Sequence, residues 1–251
     1  MHSIFICFIT FSVVFGSALL GIFLRNVIPD DHLSSDSKDV VKLATGLVIT
    51  MTALVLGMLV SSAKSSYDFR KAEVASMATK IVLLDRQLAH FGPEAQPVRN
   101  QLHEAVKIAF ERIWPSHRLR GVDLAPMDAM GLLYDEIDDL PVNSDRQRST
   151  KAQIVTLASD LKETRLLIFI QSGNDSVSIP LLAVVVSWLA AIFLSFGVFS
   201  PTNRTVLITL LFCAIAVTGA IFIILEMYSP FSGVLRISPQ PLYDALGQLG
   251  K

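Results

Sequence analysis

Five small side chains, Gly46, Thr50, Ala53, Gly57 and Ser61, recur three or four residues apart through an uncharged apolar run. In a helix that spacing sets all five on one face, with Leu47, Leu54 and Met58 turned elsewhere. Small faces let helix backbones approach closely in lipid; shared among several copies, a line of glycines and hydroxyls can instead border a water-filled conduit. Lys42 and Lys64 flank the run, about 33 Å apart at about 1.5 Å per helical residue. As rings in an oligomer they would concentrate anions at both mouths of a pore, and as single side chains they would snorkel to the two interfaces.

No other constellation supports stronger chemistry. Asp135, Glu136, Asp138 and Asp139 are consecutive acids on a short helix, without the alternating oxygen ligands and turn glycine of a calcium loop, so they read as a solvated face. Asp30, Asp31, His32 and Asp36 have similar metal potential, but Asp36 also fits a helix cap. His103-Glu104 is followed by Lys107 where a metalloprotease helix needs its second histidine. With no glycine-rich phosphate loop and no nucleophile elbow, the chain is expected to be no enzyme and to carry no metal or cofactor. Glu226, at the end of an apolar run, reads as an interfacial acid that is cheap to solvate. Cys7 and Cys213 both lie in apolar runs and read as buried, reduced thiols.

Four runs without Asp, Glu, Lys or Arg must position these residues: 4–24, 43–60, 177–199 and 205–225. At about 1.5 Å per residue each is long enough for a hydrocarbon core of about 30 Å. Backbone groups in lipid must be paired within the segment, and continuous apolarity without alternation excludes a barrel, so these are expected to be transmembrane helices. The first run has no basic leader and no small-residue cleavage site, and reads as a retained helix. A net charge of −1 gives no basic face for phosphates, which removes nucleic acid from the partners and leaves the bilayer.

Between the second and third spans lie 116 residues holding 15 of the 21 basic and 16 of the 22 acidic side chains. Four apolar stripes at helical spacing run through them. The first is Val74, Met77, Ala78, Ile81, Leu84, Leu88 and Phe91, stopped at Gly92-Pro93. The second, Val98, Leu102, Ala105, Ala109 and Ile113, ends at Trp114-Pro115. The third is Met130, Leu133, Ile137 and Leu140; the fourth, Ile154, Leu157, Ala158, Leu161 and Ile168, follows the cap candidate Ser144. Single-striped helices must bury those stripes against one another. The expected fold is an all-α membrane protein: a transmembrane hairpin over 1–62, a cytoplasmic helical domain over 63–176, a second hairpin over 177–225 and a cytoplasmic tail over 226–251. Six juxtamembrane basic residues, Lys64, Arg70, Lys71, Lys162, Arg165 and Arg236, against Arg25, Lys38, Lys42 and Arg204 put the domain and both termini on the cytoplasmic side.

Several segments together resemble the bestrophin-like family of bacterial membrane proteins: Ile28-Pro29-Asp30-Asp31-His32-Leu33, the stretch from Asp36 to Leu43, Ala53-Leu54-Val55-Leu56-Gly57, and Ser61 to Asp68. Further matches are Leu84-Asp85-Arg86, Phe91-Gly92-Pro93, Ile113-Trp114-Pro115 and Pro230-Phe231-Ser232-Gly233. The resemblance implies distant similarity to bestrophins, pentameric anion channels with four spans per subunit and a helical cytosolic region between the second and third. In those channels the second span lines the pore through a bulky, partly aromatic neck, whereas residues 43–62 here contain no aromatic side chain; their calcium-sensing acidic cluster is also missing, since only Glu226 and Asp244 are acidic beyond Leu225. The expected function is an oligomeric channel for small ions, anions among them, lined by the second span. The alternative is a membrane-anchored interaction or sensing module.

Overall fold

The computed structural model describes residues 2–27, 35–114, 128–174, 178–201, 203–231 and 233–250. Among them are eight α-helices and no strand: α1 His2–Arg25, α2 Ser35–Phe91, α3 Gln96–Ile113, α4 Asp128–Asp138, α5 Asp145–Asn174, α6 Ile179–Phe199, α7 Arg204–Met227 and α8 Gln240–Leu246. Four of these helices, α1, α2, α6 and α7, are long and apolar enough to cross a membrane. The second span and the first stripe of the central region are one 57-residue helix, α2. The chain divides into two compact units, Met1–Tyr67 with Ser176–Arg236, and Asp68–Asp175 with Ile237–Lys251.

In the first unit α1 packs along α6 and against α7, and Val14, Ala18, Val185, Ala214 and Ile221 are fully buried. Gly21 meets Gly197, and one turn on Arg25 donates to the Ser200 carbonyl, so α1 and α6 run parallel. A Cβ at either glycine would press on backbone: from Gly21, Gly197 Cα and Val198 N stand at 3.0 Å, and from Gly197, Gly21 Cα and Ile22 N stand at 2.9 Å. This is the close approach that glycine permits between helices in lipid. Thr45 of α2 shares a hydrogen bond with Ser195 of α6 at 3.0 Å, and Ser62 one with Tyr228, just past α7, at 3.3 Å. The start of the α2 span therefore lies level with the end of α6, and its end level with the end of α7. Phe8, Leu54 and Phe212 remain 66–69% exposed, an apolar surface that lipid rather than water covers.

In the second unit the apolar stripes form the core. Val74, Ile81, Leu84, Leu88, Leu102, Leu133, Ile137, Ile154 and Leu161 are each at most 2% exposed. Ile113, Met130 and Ile168 have side chains outside the described set. α2 stops at Gly92, whose φ of 132° only glycine adopts readily, and Pro93 opens a 3₁₀ turn to Ala95. Ser144 caps α5 by accepting the Gln147 N–H at 3.2 Å; the Gln147 side chain accepts the Asn143 N–H at 2.8 Å and donates to the Phe91 carbonyl at 3.4 Å, tying the start of α5 to the end of α2. Asp85 holds Arg99 bidentately at 2.8 and 2.9 Å, both side chains nearly buried. The closing residues join this unit: Leu242 and Ala245 of α8 are buried, and the Phe110 and Tyr243 rings lie 6.3 Å apart.

Candidate functional site

The α2 span has two distinct faces. Thr45, Val48, Thr52, Val55, Leu56, Leu59 and Ala63 turn toward the bundle: Thr52, Leu59 and Ala63 are buried, Val48, Val55 and Leu56 pack against the core, and Thr45 bonds to α6. Gly46, Thr50, Ala53, Gly57 and Ser61 are all exposed. At about 100° per residue the mean directions of these two sets differ by roughly 150°. Nothing lies within 4 Å of a Cβ built at Gly46 or Gly57, in contrast to the crowding at Gly21 and Gly197. The side of α2 that carries these five residues is bare in the single chain.

Polarity on this face is muted. The Thr50 hydroxyl donates to the Gly46 carbonyl at 2.9 Å, leaving oxygen lone pairs rather than a free proton facing outward, and Thr52 does the same toward Val48 at 2.7 Å on the buried side. Leu47, Leu54 and Met58, each 64–66% exposed, form an apolar row beside it. Lys42 and Lys64 are both exposed, one at each end of the span. Such an arrangement can pass hydrated ions only where copies of the chain bring several of these faces together, since the four helices of one chain fill their own interior.

Other expected groups fall elsewhere. Among the described residues no three of His, Cys, Asp and Glu gather as metal ligands. Asp30, Asp31 and His32 lie outside the described residues, and Asp36 stands in the first turn of α2 with its side chain outside the described set. On α4, Asp135, Asp138 and Asp139 are exposed while the Gln101 amide, oriented to donate, reaches the half-buried Glu136. On α3, His103 and Lys107 each stand 3.9 Å from Glu104 Oε1, on an exposed face. Two expectations need correction. Cys7 is buried but Cys213 is exposed on α7, because an apolar run tells that a side chain tolerates lipid, not that protein covers it. Glu226 is 4% exposed and accepts the Val234 N–H at 2.5 Å, so the chain folding back after α7, rather than water, solvates its carboxylate.

Sequence reasoning missed the Gly21–Gly197 crossing and the Thr45–Ser195 bond. The glycines stood visible in otherwise bulky runs, but nothing in one chain's sequence pairs two helices.

A model of the bestrophin-like domain matches residues 11–242. A crystal structure of a bacterial bestrophin homologue from Klebsiella pneumoniae, carrying a point mutation, shares the fold: TM-score 0.68, covering 95% of this chain and 97% of that one, at 13% sequence identity. No curated protein matches.

Proposed function

The chain belongs to the bestrophin-like family, and on that premise we propose that it is the subunit of an oligomeric channel for small ions in the bacterial inner membrane. The small-residue face of α2 lines the path, and Lys42 and Lys64 stand at its mouths and favour anions there. The observation that carries this reading is the bareness of that face: five residues of low volume, exposed over the length of a span, with open space at Gly46 and Gly57. A five-fold ring follows the resemblance to bestrophins. In this reading the helical unit and both termini are cytoplasmic, and the Ser200–Arg204 turn faces outward. Purified protein reconstituted in planar bilayers should give unitary currents that Thr50→Phe or Gly57→Phe reduces. A verified oligomer that stays silent, or a particle whose mass in detergent is that of one chain, refutes the proposal.

The second unit, with a core of its own, favours an alternative in which the spans tether a helical module that meets a protein partner. Silence in bilayers together with co-purification of one defined partner would support it.

A further inference from the structure

Within the second unit, the Asp85–Arg99 pair uses one edge of the guanidinium and leaves another open. Asp85 Oδ1 accepts from Nε and Oδ2 from Nη2, a side-on fork, and the Gly250 N–H lies 3.3 Å from the same Oδ2. A guanidinium carries five N–H donors, and a side-on fork engages two of them. The end-on edge, made by Nη1 and the outer hydrogen of Nη2, keeps its donors. No acceptor among the described residues reaches Nη1, and that nitrogen is not sealed from solvent. The Arg99 side chain is only 12% exposed, and it forms one wall of a cleft of about 240 Å³ completed by Gln96, Asn100, His103 and Glu104 of α3 and by Gly250. Gln96 donates to Asn100 Oδ1 at 3.2 Å, which leaves the Asn100 amide hydrogens to donate in turn.

A parallel pair of N–H bonds on the end-on edge of an arginine matches the two oxygens of a carboxylate, and the planar fork holds such a group more specifically than a point charge does. Asp85 already balances the guanidinium charge, so geometry rather than net charge recruits the ligand. Glu104 on the same cleft repels a second acid group. At about 30 Å³ for each water-sized group, the cleft has room for about eight of them, the scale of a small organic acid. We propose that this cleft binds a small monocarboxylate, with its two oxygens on the open edge of Arg99, the Asn100 amide beside them and Glu104 excluding dicarboxylates. The site is built from one unit alone and rests on neither reading of function, so its failure and theirs are separate results.

Saturation-transfer NMR of the full-length protein in lipid nanodiscs, titrated with acetate at constant ionic strength, tests it. Acetate should bind saturably with a dissociation constant of about a millimolar, within the ceiling for a ligand of about four non-hydrogen atoms. Asn100→Asp sets one of the chain's own carboxylates beside the open edge and leaves the Asp85–Arg99 pair in place; it should weaken acetate binding at least about tenfold. Glu104→Gln should tighten it about threefold, the scale of one exposed charge, and admit succinate, which the wild type rejects. Both positions are exposed, so thermal melts should match the wild type, and Glu104→Gln carries the test if Asn100→Asp folds poorly. Acetate binding that does not saturate, or that Asn100→Asp leaves unchanged, overturns the proposal. Inorganic phosphate or chloride displacing acetate as well as another monocarboxylate does overturns it too, because the cleft would then be reading charge and not a planar carboxylate.

Discussion

Adding one methyl group at four glycines separates a tight helix crossing from an open face. At Gly21 the new Cβ would lie 3.0 Å from Gly197 Cα and Val198 N, and closer still to the Leu194 carbonyl oxygen. Carbon contacts settle near about 3.5–4.0 Å, so α1 and α6 must part by about 0.5–1 Å, and a gap of that size forfeits a quarter to a half of each contact along the crossing. Overpacking of this kind costs about 1–3 kcal/mol, against a helix-propensity gain of about 1 kcal/mol for Ala over Gly. Gly21→Ala and Gly197→Ala should each destabilise, by up to about 2 kcal/mol net, and the double variant by less than the sum, because one separation relieves both clashes. Gly46→Ala and Gly57→Ala meet nothing in the single chain and should cost nothing there. The assay is the fraction of purified protein still monodisperse after heating in detergent, with oligomer mass followed alongside. Wild-type stability in Gly21→Ala would refute the crossing argument. Loss of the oligomer in Gly57→Ala would show that another copy packs against the face and leaves no room for ions.

Three further outcomes are expected. Arg99→Met strands a buried carboxylate and should lower the unfolding free energy by about 3–5 kcal/mol, while the Asp85→Asn/Arg99→Met pair restores most of it; the Asp85 hydrogen bond raises the Arg99 pKa, so the guanidinium keeps its charge until strong alkali and the pair's contribution stays constant from about pH 6 to about pH 9 in thermal melts. Burial raises the Tyr134 hydroxyl above its ordinary value, against the opposing charge of Arg165, so its contribution is complete below the unfolded value of about 10 and falls as pH rises past it; melts between about pH 9 and about pH 11 should be less steep in Tyr134→Phe. A cysteine placed at Asn203, in a Cys213→Ser background, should react with impermeant thiol reagents from outside intact cells, and labelling only after lysis would invert the orientation.

Much of the architecture was legible because period and solvent are properties of a single segment. The central stripes named their own buried residues, from Val74 to Leu161, and the stops at Gly92-Pro93 and Trp114-Pro115 fall where φ and the missing proline N–H forbid continuation. The shared face of Gly46, Thr50, Ala53, Gly57 and Ser61 was legible for the same reason. Its bareness was not, since exposure depends on which helices pack where, and lipid removes the hydrophobic contrast that marks an inside from an outside. Cys213 and Glu226 were misjudged on that account. The closing segment was missed because its anchors, Trp114 to Ile237 and Gly250 to Asp85, join residues more than a hundred positions apart, and α8 has only seven residues to show a period.

The central claim is that water, not lipid, reaches the small-residue face of α2. Single cysteines at positions 46, 50, 53, 57 and 61, compared with positions 47, 54 and 58 in a Cys213→Ser chain reconstituted in lipid, test it with a charged, water-soluble thiol reagent. The account predicts modification at the first five positions and protection at the other three. Protection at all eight, or modification at 47, 54 and 58 alone, would contradict it.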